Sequence, residues 1–136
     1  MLFPKKTKFK KSHQKCFRTK ETTNLSLSKG NFGLKATQNK ETNAKQIESV
    51  KKFFIKKSNR TIKIWVNIFP HLPKTKKPLE VRMGKGKGNV EYWYSFVKTG
   101  KIVFEFDNLN KSLKHTIQKS GVQKLPFKTK LIFKKF

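Results

Sequence analysis

Between Arg82 and Trp93 the chain reads Arg82-Met83-Gly84-Lys85-Gly86-Lys87-Gly88-Asn89-Val90-Glu91-Tyr92-Trp93, with glycines at every second position, cations between them and aromatic sequence directly after. Residues without a Cβ let a backbone lie close against a strand of phosphates, and the exposed N–H groups of such a turn meet anions. Arg82 can chelate a phosphate through two parallel hydrogen bonds, while Lys85 and Lys87 supply compact charge. The chemistry on offer is anion binding by a loop, with Gly84, Gly86 and Gly88 permitting the approach. A plain hairpin tip accounts for the glycines but not for the alternating cations.

Other chemistries find less support. A nucleotide-binding P-loop needs G-x-x-x-x-G-K-[ST] opening a helix, and a dinucleotide fingerprint needs G-x-G-x-x-G. Neither spacing is present, and β-prone sequence follows the loop, so no helix N-terminus waits for a phosphate. The acids are Glu21, Glu41, Glu48, Glu80, Glu91, Glu105 and Asp107, with no pair or Ser/His/acid set at catalytic spacing. His13, His71 and His115 are far apart with no carboxylate at ligand spacing, and the lone Cys16 forms neither a disulfide within the chain nor a thiolate cluster. We expect no enzyme, no metal and no cofactor.

The chain has 136 residues, with 34 Lys and Arg against 7 Asp and Glu, a net charge of +27. Such a chain repels itself when compact and is relieved by a polyanion. Apolar residues make up 35%, below the roughly 45–50% of soluble domains, so a modest core with extensions is expected. Part of the chain is expected to order only on its partner. No apolar run approaches the ~18–20 residues of a membrane span, and no membrane partner or homo-oligomer is expected. Arg18, Arg60 and Arg82 are the only arginines. RNA sites favour Arg, so this Lys skew points to an AT-biased genome such as an organelle's.

These residues need elements to position them. Residues 1–22 read as a basic arm, Lys5, Lys6, Lys8, Lys10, Lys11 and Lys15 interleaved with Phe3, Phe9 and Phe17. Residues 23–136 read as one α+β domain, with the glycine loop at about 70–90. Leu25–Ala36 predicts two short strands about Lys29-Gly30-Asn31. Asn43 is an N-cap with Gln46 three residues on, and Ala44, Ile47, Val50 and Phe54 form the apolar stripe of a helix with Lys51, Lys52, Lys56 and Lys57 near its end. Ile62, Ile64, Val66 and Ile68 alternate as a half-buried strand with Trp65 on its other face. Pro70, Pro73 and Pro78 predict an irregular connection. Val90–Lys98 and Lys101–Asp107 predict a hairpin turning at Thr99-Gly100. Leu109, Leu113 and Ile117 predict a second helix stopped near Gly121, and Phe127–Phe136 a last strand. The expected fold is α+β, a mixed or antiparallel sheet with two helices packed on it.

Several stretches together resemble one family, the bacterial-type large-subunit ribosomal protein sixteen. They are Met1-Leu2-Phe3-Pro4-Lys5-Lys6-Thr7-Lys8-Phe9-Lys10-Lys11, Phe32-Gly33-Leu34-Lys35-Ala36, Gln46-Ile47-Glu48, Lys63-Ile64-Trp65, Phe69-Pro70, Lys77-Pro78-Leu79-Glu80-Val81, Arg82 to Trp93, Gly100-Lys101 and Lys124-Leu125-Pro126-Phe127-Lys128-Thr129. The resemblance implies an α+β domain seated on large-subunit rRNA near the aminoacyl-tRNA, with neighbouring large-subunit proteins. It implies that Arg82, Lys85 and Lys87 face RNA at the peptidyl transferase region and A-site tRNA, with Lys5, Lys6, Lys8, Lys10, Lys11 and Arg18 on rRNA. Residues 14–24 depart from the family, being poorer in Arg and Gly, and so do the second helix around His115 and Gln118 and Asn43, where Thr is usual.

The family pattern begins at Met1, which with the Lys bias leads us to expect a mitochondrial large subunit without a cleaved leader, a plastid or an AT-rich bacterium being the alternatives. A non-specific nucleic-acid-compacting protein is the competing function.

Overall fold

Helix α1, Ala44–Lys57, forms where the apolar stripe predicts it. Asn43 and Gln46 close a capping box, the Asn43 N–H donating to Gln46 Oε1 at 3.0 Å. Its face of Ala44, Ile47, Val50 and Phe54 is buried, and Lys56 and Lys57 stand in the last turn. The computed structural model describes residues 2–14, 19–23 and 25–134. Among these the strands are β1 (Phe32–Ala36), β2 (Lys40–Asn43), β3 (Lys63–Val66), β4 (Leu72–Lys76), β5 (Asn89–Val97), β6 (Ile102–Asp107) and β7 (Thr129–Phe133). The second helix, α2, is Lys111–Thr116 and runs on through a π turn, Ile117–Gly121, and a 3-10 turn, Val122–Lys124.

The expected α+β class holds, but the strands divide between two antiparallel sheets. The larger has the order β3-β6-β1-β7 and the smaller β2-β5-β4. The predicted hairpin of β5 and β6 does not form, because β6 has both edges taken by β3 and β1, and β5 has both taken by β2 and β4. At Thr99-Gly100 the chain instead crosses between sheets. The Gly100 N–H donates to the Ala36 carbonyl at 2.8 Å and the Ala36 N–H to the Lys101 carbonyl at 2.9 Å.

β6 lies inside its sheet, and Ile102, Val103, Phe104, Glu105 and Phe106 are all buried. The Phe54 ring of α1 meets Phe104 and Phe106 edge-on at 5.7 and 5.1 Å. Residues 25–31 were expected to supply a strand but are irregular, since the Lys29 and Gly30 N–H groups donate to the Glu105 carboxylate at 2.7 and 2.9 Å instead of to a sheet partner. Leu27 lies over Gly33, where an added Cβ would sit 2.4 Å from Leu27 Cδ2.

Two further expectations change. Gly121 does not stop the second helix: its backbone is helical (φ −71°), and its missing Cβ admits the Phe54 ring, whose Cε1 would lie 2.1 Å away. Pro73 sits within β4, which is possible because β4 is an edge strand and a missing donor on the open side breaks no pairing.

Candidate nucleic-acid interface

The glycine loop, residues 77–88, is the tip of the β4–β5 hairpin, whose last paired residues are Lys76 and Asn89. At the neck, a Cβ on Gly88 would lie 2.4 Å from the Lys76 carbonyl oxygen, so the two strands close only with glycine there. At the tip, Gly84, Lys85 and Gly86 take φ of +97°, +51° and +85° in succession. For Lys85 this left-handed conformation carries a cost of about 1–2 kcal/mol. Nothing lies within 4 Å of the Cβ positions of Gly84 or Gly86, so the tip stands in open space. The Lys77 ammonium donates to the Gly84 carbonyl across the loop. Arg82, Lys85 and Lys87 are exposed, as are the apolar side chains of Leu79 and Met83.

The arm is anchored at its start by Leu2, which packs against the core. Lys5, Lys6, Lys8, Lys10 and Lys11 are exposed beyond it. Lys11 donates to the Lys87 carbonyl at 2.8 Å, and Lys87 donates to the Ser12 carbonyl at 2.5 Å. Gln14 fastens the arm to β2 through Glu41 at 2.9 Å. Arm and loop, some 75 residues apart in sequence, are thereby clasped side by side. This contact escaped the sequence reading, since two lysine-rich segments give no signal that they meet. Arg18 lies outside the described residues, as do Lys15, Cys16 and Phe17.

The acids are dispersed, and several have donors of their own. Glu41 accepts from Lys74 at 3.1 Å, Glu91 lies 3.6 Å from Lys76, and Glu21 lies 3.7 Å from Lys101. Burial raises the Glu21 carboxyl, but hydrogen bonds from Thr23 and the charge of Lys101 bring it below its ordinary value. Glu105 is 1% exposed and accepts from Lys29, Gly30, Ser28 and, at 2.6 Å, Asn67 Nδ2. Among the described residues no group of three or more His, Cys, Asp or Glu is placed to hold a metal. No helix among them is long and apolar enough to cross a membrane. His71 is turned to its own chain, a ring nitrogen 3.1 Å from the Phe69 carbonyl, and His115 is exposed on α2. A carboxylate set in the apolar run Ile102–Phe106 was the one signal in the sequence for the Glu105 network. Its partners in residues 28–30 and 67 could not be read from spacing.

Comparison with known proteins covers both arm and loop. The profile of the family described as Ribosomal protein L16p/L10e matches residues 4–132. Large ribosomal subunit protein uL16 of Blochmanniella pennsylvanica is 47% identical over 133 residues, spanning 97% of this chain and 98% of its own. The protein of the same name from Wigglesworthia glossinidia brevipalpis is 44% identical over 134 residues, 98% of each chain. That of Cereibacter sphaeroides (strain ATCC 17029 / ATH 2.4.9) is 40% identical over 132 residues, 97% of this chain and 96% of the relative. A match of this extent shows that the chain belongs to the ribosomal protein L16p/L10e family, whose members are structural components of the ribosome rather than enzymes.

Proposed function

We propose that this chain binds large-subunit rRNA through its arm and helps position A-site tRNA near the peptidyl transferase centre through its glycine loop, as a structural constituent of the large ribosomal subunit among neighbouring subunit proteins. The observation that carries this is the clasp of Lys11 and Lys87, which sets two cationic segments on one stretch of surface. The assigned contacts are Lys5, Lys6, Lys8, Lys10, Lys11 and Arg18 for rRNA, and Arg82, Lys85 and Lys87 for the functional centre, with Gly84, Gly86 and Gly88 keeping the backbone bare. Residues 1–22 act as the arm and residues 23–136 as the seated domain. Peptide bond formation is left to the RNA.

The test is binding to folded large-subunit rRNA against duplex DNA over a salt series. We expect preference for the rRNA, with a log-log slope of roughly −0.7 to −0.9 per neutralised phosphate. Equal affinity for random duplex DNA supports the nucleic-acid-compacting reading instead. The chain's 34 Lys and Arg include only three arginines, and this skew supports a mitochondrial ribosome, with a plastid as the alternative, although the relatives above are bacterial. Sedimentation with mitochondrial large subunits is the expected result, and recovery in plastid or bacterial particles alone overturns the mitochondrial assignment.

A further inference from the structure

The arm does not lie flat on the smaller sheet. Between the two runs a groove of about 750 Å³, within the size range of small-ligand sites, flanked by Phe9 and Ser12 of the arm, Leu72 of β4 and Phe96 of β5. The ammonium-bearing side chains of Lys11, Lys98 and Lys101 also line it, against the single carboxylate of Glu21. The outer wall is built rather than incidental, being tied down by Lys87 to Ser12, Lys11 to Lys87 and Gln14 to Glu41. Phe9 lines the groove yet stays 69% exposed. An aromatic whose task is to tack the arm to the sheet would bury its ring, and this one leaves most of it open.

We propose that this groove receives one unstacked nucleotide of the bound RNA, its base against Phe9 and Phe96 and its phosphate among Lys11, Lys98 and Lys101. The inference rests on the RNA-binding function proposed above and adds to it a site for a single base. Aromatic rings beside cations are the general means of holding single-stranded nucleic acid, because every base has a stacking face and every nucleotide a charge. Splayed bases of loops and bulges are likewise the part of a folded RNA that side chains reach most readily.

The experiment uses the full chain and large-subunit rRNA, with ultraviolet cross-linking followed by peptide mass spectrometry, and affinity measured for Phe9→Ala and Phe9→Trp. Phe9 is exposed, so both variants should keep the wild-type melting temperature. We expect cross-linked peptides containing Phe9 or Phe96. Phe9→Ala should lose roughly tenfold in affinity with an unchanged salt slope, since a stacked ring and no phosphate contact is removed, and Phe9→Trp should restore binding. Wild-type affinity in Phe9→Ala, or cross-links confined to other segments, overturns the groove while rRNA selectivity stands. Loss of selectivity in the wild-type chain itself overturns the function and the groove together.

Discussion

The buried carboxylate of Glu105 pins residues 28–30 by accepting from Ser28, Lys29 and Gly30, and it does so as an anion. Burial alone would raise its carboxyl. The N–H groups of Gly30 and Lys29, with Asn67 and Ser28, outweigh that and bring it below its ordinary value. A carboxyl with a lowered folded value adds stability above its unfolded value, and that stability is lost as pH falls through the folded one. Replacing Glu105 by Gln keeps one acceptor oxygen and turns an NH₂ group toward donors, leaving buried N–H groups unsatisfied. We expect Glu105→Gln to cost about 2–3 kcal/mol at pH 7, on the scale of hydrogen bonds to charged groups. In denaturant unfolding, the gap to the wild type should begin to narrow as pH falls below the ordinary carboxylate value, where the unfolded chain takes up the proton first, and should close as the folded carboxyl is protonated in turn. An undiminished gap at pH 3 would show that shape, and not charge, pins residues 28–30.

At the scale of elements, two glycines of the loop separate by their surroundings. Gly88→Ala sets a Cβ 2.4 Å from the Lys76 carbonyl, against backbone that cannot swing away, so the hairpin neck must open. Gly86→Ala meets empty space and carries only the left-handed cost of about 1–2 kcal/mol. Circular dichroism melts should therefore show Gly88→Ala as the more damaging change. Gly86→Val, confined to the tip, should impair tRNA placement in assembled ribosomes more than it depletes large subunits, and profiles with the reverse pattern refute that. Gly121→Ala shows the same conflict in a helix, where alanine ordinarily gains about 1 kcal/mol over glycine. Here its Cβ meets Phe54, itself held between Phe104 and Phe106, and overpacking of about 1–3 kcal/mol should reverse the sign. These contacts mark the limit of what local pattern reveals. The period of Ala44, Ile47, Val50 and Phe54 and the capping pair Asn43 and Gln46 make α1 plain in the sequence. The pairings of β5 and β6 are not legible there, because adjacency in sequence favours a hairpin and says nothing of which edges distant strands occupy. The role of Gly121 is ambiguous in the sequence, because a helix stop and a packing notch need the same residue.

Across the whole molecule, the cations of arm and loop were legible from composition, whereas their clasp and the groove beneath the arm depend on long-range contacts that charge alone cannot announce. Charge does bear on stability. The molecule carries +27, and among the described residues the pairs Lys74–Glu41, Lys76–Glu91 and Lys101–Glu21 involve few of its 34 Lys and Arg. The exposed Lys76–Glu91 pair contributes about 0–1 kcal/mol, and with the half-buried Lys74–Glu41 and Lys101–Glu21 pairs it interrupts only part of the summed repulsion. Raising salt from about 0.01 to 0.1 M shortens the screening length from about 30 to 10 Å and weakens repulsion across the surface. The melting temperature of the free chain should therefore rise with salt. A fall would mean that attractive ion pairing outweighs the repulsion. Large-subunit rRNA should raise stability beyond salt at equal ionic strength, by about 2.7 kcal/mol at a hundredfold excess over Kd, because it binds the folded chain selectively as well as screening it. If duplex DNA of equal charge gives the same gain, the stabilisation is screening alone, and the arm and loop discriminate no particular RNA.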